Sequence, residues 1–302
     1  MYSIGSSRVF DPYVQVMQNA NLTQYIWDKS LLQPLWDYLR YNHQDALRSP
    51  LFPVFLSVST YFSLCSCYMI LDFLAPKCPA LNRYKIHPDQ HVTWEEVFKT
   101  LWHTGYNHII FVFPATVGQW YWRPPIPLKE EAPLLSELLI GVLGCTILFD
   151  FQYYIWHLTH HKVRWLYTTF HALHHKYYVP FSWSTQYLSA WELISVGFWT
   201  TINPIILQCH CLTGFVFMFF NVWISVDDHS GYDFPWGLHN IIPFGLWGGT
   251  VKHDAHHQKV QCHFAPFFSH WDWLFGTYCD CTRSPAVLEM QKKKREAGGD
   301  LK

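Results

Sequence analysis

Histidine is the residue through which this chain could do chemistry. Between Trp156 and Lys176 the sequence reads WHLTHHKVRWLYTTFHALHHK and holds His157, His160, His161, His171, His174 and His175. On a helix, residues four apart stand one above the other, so His157 and His161 share a face. His171, His174 and His175 have the i, i+3, i+4 spacing, which also turns toward one face. The segment His253-Asp254-Ala255-His256-His257 repeats that HxxHH spacing further along. Neutral imidazole binds transition metals through a ring nitrogen, and two ligands one turn apart clamp one ion. A lone histidine is more often a satisfied core or surface residue. Three clusters with this spacing point to metal. Spacing alone does not choose among iron, zinc and copper.

The rest of the chain must hold these side chains in place, and its composition says in what medium. Charged residues are 14% of the 302 residues, against roughly 25% in soluble domains. Aromatics reach 19%, with 16 Trp, 18 Tyr and 23 Phe, as suits a membrane protein with interfacial rings. A formal net charge of −1 gives no reason to invoke nucleic acid. The nine cysteines form Cys-x-Cys pairs and singles without a CxxC zinc frame, and are expected as buried free thiols.

In order, residues 1–49 carry scattered charge and no apolar signal-peptide core, and Asn21-Leu22-Thr23 is a glycosylation sequon at Asn21. Leu51 to Leu71 has no Asp, Glu, Lys or Arg and is long enough to cross a hydrocarbon core of about 30 Å. Leu101 to Trp122 reads as a second span within a region 50–133. Leu138 to Trp156 reads as a third that delivers the chain into His157. Asp150 sits deep in that apolar stretch, where a carboxylate is costly. Leu193 to Val226 holds 34 residues without Asp, Glu, Lys or Arg, and would measure about 51 Å as one helix. Asn203-Pro204 and Gln208-Cys209-His210-Cys211 offer a break, so two helices in a hairpin are expected. An even number of crossings returns the chain to the side it left, so all clusters can serve one site. The expected fold is an all-α, multi-pass membrane bundle, with a catalytic region 134–278 and a disordered cytosolic tail 279–302. Lys162, Arg164 and Lys176 put the clusters in the cytosol and the N-terminus in the lumen.

The pattern His157-x3-His161, His171-x2-His174-His175, His253-x2-His256-His257 resembles the fatty acid hydroxylase/sterol desaturase superfamily of integral membrane di-iron enzymes. STQYLSAWEL, DDHSGYDFPW, PFGLWGG, HDAHH and HFAPFFSHWDWLFGT tighten the likeness to its sterol side-chain hydroxylating branch. The likeness runs from about Phe149 to Thr277, and Lys252 departs from it where relatives often carry another histidine. It implies an endoplasmic reticulum enzyme with metal ligands His157, His161, His171, His174, His175, His253, His256 and His257, completed by His229. It leaves His160 as a neighbour of the ligands, with Asp150, Asp228 and Asp254 as candidates for orienting outer imidazole nitrogens. His239, His263 and His270 read as structural. It further implies two non-haem iron ions, O2, and cholesterol or a related sterol as substrate. No dinucleotide fingerprint is visible, so electrons would come from an NADPH-linked partner, cytochrome P450 reductase or cytochrome b5. Two alternatives stand beside this: a C4-methyl sterol oxidase or fatty acid hydroxylase, and a zinc-binding or transport protein. Transporters keep their ligands near the midplane of the spans, whereas these clusters lie outside the apolar stretches. No HExxH is present for a zinc hydrolase.

Overall fold

The computed structural model describes residues 31–119, 121 and 126–299. Asn21 lies outside them. Among the described residues the protein is helical, with isolated bridges between Lys85 and Tyr232 and between Trp247 and Phe268 in place of any strand. Helix α1 occupies 31–48. Next come α2 (Leu51–Leu74), α3 (Trp94–Asn107) and α4 (Phe113–Gln119). The remaining long helices are α5 (Leu135–Lys162), α6 (Ala190–Ile206), α7 (Cys211–Asp228), α8 (Gly249–Lys259) and α9 (Pro285–Gly299).

Three helical segments are long and apolar enough to cross a membrane: Leu51–Lys77, Leu135–Lys162 and Cys211–Asp228. Only 17% of the apolar window of the first is buried, and Phe55, Ile70, Ile140 and Phe219 stand exposed on these helices. Such surface is costly in water and natural against lipid. The expected span from Leu101 to Trp122 is not among them. There α3 runs into a π-helical turn, His108–Val112, before α4, and Trp122 lies outside the described residues. The expected break in the 193–226 stretch is found: α6 ends at Ile206 and α7 starts at Cys211. Pro204 closes α6, and Gln208 takes a left-handed conformation, φ 52°, in the link. At 17 residues α6 is about 26 Å long, short of a hydrocarbon core.

Helix α7 is the centre of the bundle, packed against α2, α5, α6 and α8. Tyr61 and Cys65 of α2 pack with Val226, Phe181 and Trp183; Cys145 and Phe149 of α5 pack with Phe217, Ile224 and Phe267. The 28 residues of α5 extend for about 42 Å. Its last turns, which carry His157 and His161, therefore project past the apolar stretch.

The tail expected to be disordered is helical over Pro285–Gly299. Its start is tied down: Asp233 accepts from Arg283 Nε at 2.8 Å and from the Ser284 amide at 3.1 Å, and Ala286 and Val287 are buried. Elsewhere Lys85 donates to Asp72 at 3.0 Å in a buried pair. That pair fixes the loop after α2 against the end of the bundle.

Candidate metal centre

The nine histidines expected as ligands gather into two groups. His157, His161, His171, His175 and His256 form one; His174, His229, His253 and His257 form the other, with the candidate ligand atoms of each group within 4.8 Å of one another. The expectation that each HxxHH box turns to one face is corrected here. In both boxes the i, i+4 pair serves one group and the i+3 residue serves the other. His171 and His175 join the five-histidine group while His174 joins the four. His253 and His257 join the four while His256 joins the five. On α8 the cause is simple, since adjacent residues point about 100° apart. His171–His175 leaves regular α-geometry, with a π-helical turn at Tyr167–His171 and a 3₁₀ turn at His174–Lys176. Consecutive residues thereby face neighbouring groups.

The hydrogen bonds around the rings decide what the centres of the groups can hold. His157 Nδ1 lies 2.8 Å from the Phe264 carbonyl, His256 Nδ1 2.7 Å from that of Cys262, and His257 Nδ1 3.0 Å from that of Tyr177. His229 Nδ1 lies 2.7 Å from the Ser225 carbonyl, and His171 Nδ1 2.9 Å from Glu192 Oε1. A carbonyl or carboxylate oxygen only accepts, so each of these Nδ1 atoms carries the proton and each Nε2 offers a lone pair. Those Nε2 atoms face other Nε2 atoms: His157 to His171 at 2.9 Å, His256 to His175 at 3.1 Å, His229 to His253 at 2.9 Å, and His257 to His253 at 3.1 Å. Between His157 and His171 both Nε2 atoms carry lone pairs, and bare lone pairs at that range repel. A cation among them turns the repulsion into ligation, so the donor set fits two metal ions.

Charge would not replace the metal. Burial and the neighbouring imidazoles hold His174, His253 and His257 well below the ordinary range. Burial brings His229 down to about 4 and His256 to about 3. These rings are unprotonated at neutral pH and ready to ligate.

Of the carboxylates expected to orient imidazoles, Asp150 and Asp254 have other partners. Asp150 Oδ1 accepts from the amides of Phe267 at 2.7 Å and Phe268 at 3.1 Å. Asp254 meets His87 Nε2 at 3.0 Å and Gln258 Nε2 at 2.6 Å. Asp228 is buried, and its Oδ1 has no hydrogen-bond partner. His160 stays outside both groups, stacked on Trp156 with ring centroids 3.6 Å apart and bonded to the Trp156 carbonyl. The orienting carboxylate is Glu192, which the sequence reading passed over. Ser189 Oγ accepts from the Glu192 amide at 3.2 Å, so Ser189-Ala190-Trp191-Glu192 starts α6 as a cap with its acid at the third helical position. That Ser-x-x-Glu pattern, just before the long uncharged stretch, was the available signal. Asp150 and Asp272 act one step further out. Asp272 accepts from the amides of Phe264 and Ala265 at 2.9 and 3.2 Å, so both acids pin the loop whose Phe264 carbonyl orients His157.

A cavity of about 190 Å³, partly open to the outside, reaches the four-histidine group between α2, α5, α6 and α7. His174, His229 and His253 stand in its wall; Phe149, Val196 and Val222 belong to its apolar lining.

Similarity to known proteins agrees with this geometry. Residues 142–277 match the fatty acid hydroxylase family profile. The chain is 59% identical over 274 residues to cholesterol 25-hydroxylase-like protein 2 of Danio rerio, covering 91% of this chain and 97% of that protein. The chain belongs to the fatty acid hydroxylase family. Its relatives include cholesterol 25-hydroxylase of Rattus norvegicus, 51% identical over 247 residues and 82% of each chain. That of Homo sapiens is 49% identical over 246 residues, 82% of this chain and 90% of the human one. No solved structure matches. As a member of this family the protein is a membrane-embedded lipid hydroxylase, and its matched region contains every histidine of both groups.

Proposed function

We propose that the protein hydroxylates a sterol side chain with O2, converting cholesterol to 25-hydroxycholesterol, at two non-haem iron ions held by the histidine groups. The observation that carries the reading is the set of converging imidazole lone pairs at the wall of an apolar cavity between membrane helices. The names of relatives at 49–59% identity supply the sterol and the position. Bound iron would supply reductive activation of O2 for insertion into an unactivated C–H bond, with electrons from an NADPH-linked partner, cytochrome P450 reductase or cytochrome b5. The chain's own part is positioning. Five imidazoles would hold one ion and four the other. The four-histidine group is the one that meets the cavity, so an ion held there would lie nearest the substrate. The aliphatic and aromatic walls exclude water and hold a rigid ring system. The carbon that reacts is then the one the cavity holds closest and best aligned.

The test is to feed labelled cholesterol to membranes containing the protein under ¹⁸O2 and identify the products by mass spectrometry. One ¹⁸O in a C25 hydroxyl is expected. Oxidation at a ring methyl, or hydroxylated fatty acid without any sterol product, moves the protein to another branch of its family.

The orientation belongs to the same proposal: endoplasmic reticulum membrane, lumenal N-terminus with Asn21 glycosylated, and both groups toward cytosolic electron donors. Lys176 and Lys259 flank the second and third histidine clusters and are exposed. Cysteines placed there should both react with an impermeant thiol reagent in sealed microsomes. Protection of either one overturns the common-side arrangement.

A further inference from the structure

A second kind of ligand cluster lies behind the histidine groups. Cys262, His263 and Cys279 bring two sulfurs and an imidazole nitrogen within 4.8 Å of one another. Cys281 Sγ stands 3.4 Å from His263 Nε2. In the structure Cys262 and Cys279 are bonded to each other, with Cα atoms 5.9 Å apart. The expectation of buried free thiols fails for this pair, and Cys281 is free but only half-buried. The segments face each other, because the His263 amide donates to the Thr277 carbonyl at 2.9 Å.

Three features mark the cluster as built. His263 is buried, 1% exposed; its Nε2 lies 2.7 Å from the Cys279 carbonyl and carries the proton, so its unpartnered Nδ1 holds the lone pair free for a metal. Its backbone is left-handed, φ 57°, three residues after Val260 at φ 51°. Left-handed backbone is unfavourable for non-glycine residues and worst for a β-branched one such as valine, so two such positions in one short turn call for compensation. Lys259 donates to the Asp280 carbonyl at 2.6 Å, bringing a positive charge to the segment that carries Cys279 and Cys281. Three sulfurs and one imidazole are the donors of a Cys3His structural zinc site, which needs no open position.

We propose that Cys262, His263, Cys279 and Cys281, when their thiols are reduced, form a third metal site that takes a zinc-like divalent ion and is chemically distinct from the histidine centre. Binding releases thiol protons and forms metal–sulfur bonds, with no change in oxidation state. The disulfide is the competing form. It is reached by two-electron oxidation of Cys262 and Cys279 by a small-molecule disulfide, which is itself reduced to two thiols as the metal leaves. The location gives the site a structural role. The Cys262 carbonyl accepts from His256 Nδ1 and the Phe264 carbonyl from His157 Nδ1. A metal held by Cys262 and His263 would therefore fix the turn that orients two ligands of the five-histidine group.

Cobalt(II) is the probe. The full-length protein, in detergent and reduced with a phosphine under anaerobic conditions, is titrated with Co(II). Imidazole-bound cobalt has no sulfur charge-transfer absorption, so the histidine groups are silent in that region. A thiolate-to-cobalt band in the near ultraviolet, saturating at one equivalent and abolished by Zn(II), is expected. The band should persist in a His256→Gln/His257→Gln variant, where the histidine centre is damaged. It should weaken in Cys281→Ser and disappear in Cys279→Ser/Cys281→Ser. Absence of the band from the reduced wild-type chain overturns the proposal, and so does its survival in the double cysteine variant. Neither result depends on turnover, so a failure here leaves the sterol reading untouched.

Discussion

Replacing His256 and His257 together by Gln is expected to abolish product formation while the protein still accumulates in the membrane. The two residues are neighbours in sequence on α8, yet His256 belongs to the five-histidine group and His257 to the four. Each single substitution should therefore empty a different site. His256→Gln should lower bound metal by about one equivalent and spare the site at the cavity, and His257→Gln should do the reverse. Both side chains are fully or almost fully buried, 0% and 2% exposed, and Gln keeps a polar group of similar reach, so packing is disturbed less than chemistry. Loss of a partner that merely orients a ligand costs roughly 10–100-fold in affinity or activity; loss of a ligand itself should exceed that. Metal content by mass spectrometry and product by chromatography are measured on the same membranes. His43→Gln, at an exposed position outside the clusters, serves as the control. His87 does not, because it meets the buried Asp254. Full activity in the double variant would falsify the ligand assignment.

The difference between His256 and His257 shows what was legible in the sequence. Side-chain spacing carries over directly into three dimensions, so His157/His161, His171/His175 and His253/His257 were readable as clamps of one turn each. Long uncharged stretches carried over for α2, α5 and the hairpin of α6 and α7, though not for Leu101–Trp122, where a π-helical turn interrupts the helix. The division of each HxxHH box between two groups was not, because it depends on how helices face one another. Much of the orientation of the ligands was also hidden. Four of the five Nδ1 partners are backbone carbonyls, of Phe264, Cys262, Tyr177 and Ser225, and a carbonyl belongs to every residue type alike. The acids that looked suited to the task, Asp150 and Asp254, serve the loop after α8 and His87 instead. The last helix escaped notice for a related reason. Its charged run reads as solvated tail, while the contacts that anchor it, from Asp233 to Arg283 and Ser284, span some fifty positions of sequence.

Glu192 is the exception among these hidden partners, being a side chain and so open to substitution. Its Oε1 meets His171 Nδ1 at 2.9 Å and the Tyr153 hydroxyl at 3.2 Å, and both His171 and Glu192 are fully buried. The carboxylate fixes the proton on Nδ1, leaves the Nε2 lone pair for metal, and makes that lone pair more basic. Glu192→Ala removes all three effects, and metal affinity or activity should fall by roughly 10–100-fold. Glu192→Gln should retain much more, since the amide oxygen still accepts from Nδ1, although it carries no charge. Tyr153→Phe removes only the second contact and should leave bound metal unchanged. The readout that separates positioning from mere packing is which site loses its ion. His171 belongs to the five-histidine group alone, so stepwise removal by a chelator should show one ion leaving Glu192→Ala early and the other leaving as in the wild type. Equal weakening of both ions, accompanied by a lowered melting temperature and no recovery in Glu192→Gln, would make Glu192 a packing residue of α6. In that case His171 would have to owe its orientation to something other than this carboxylate.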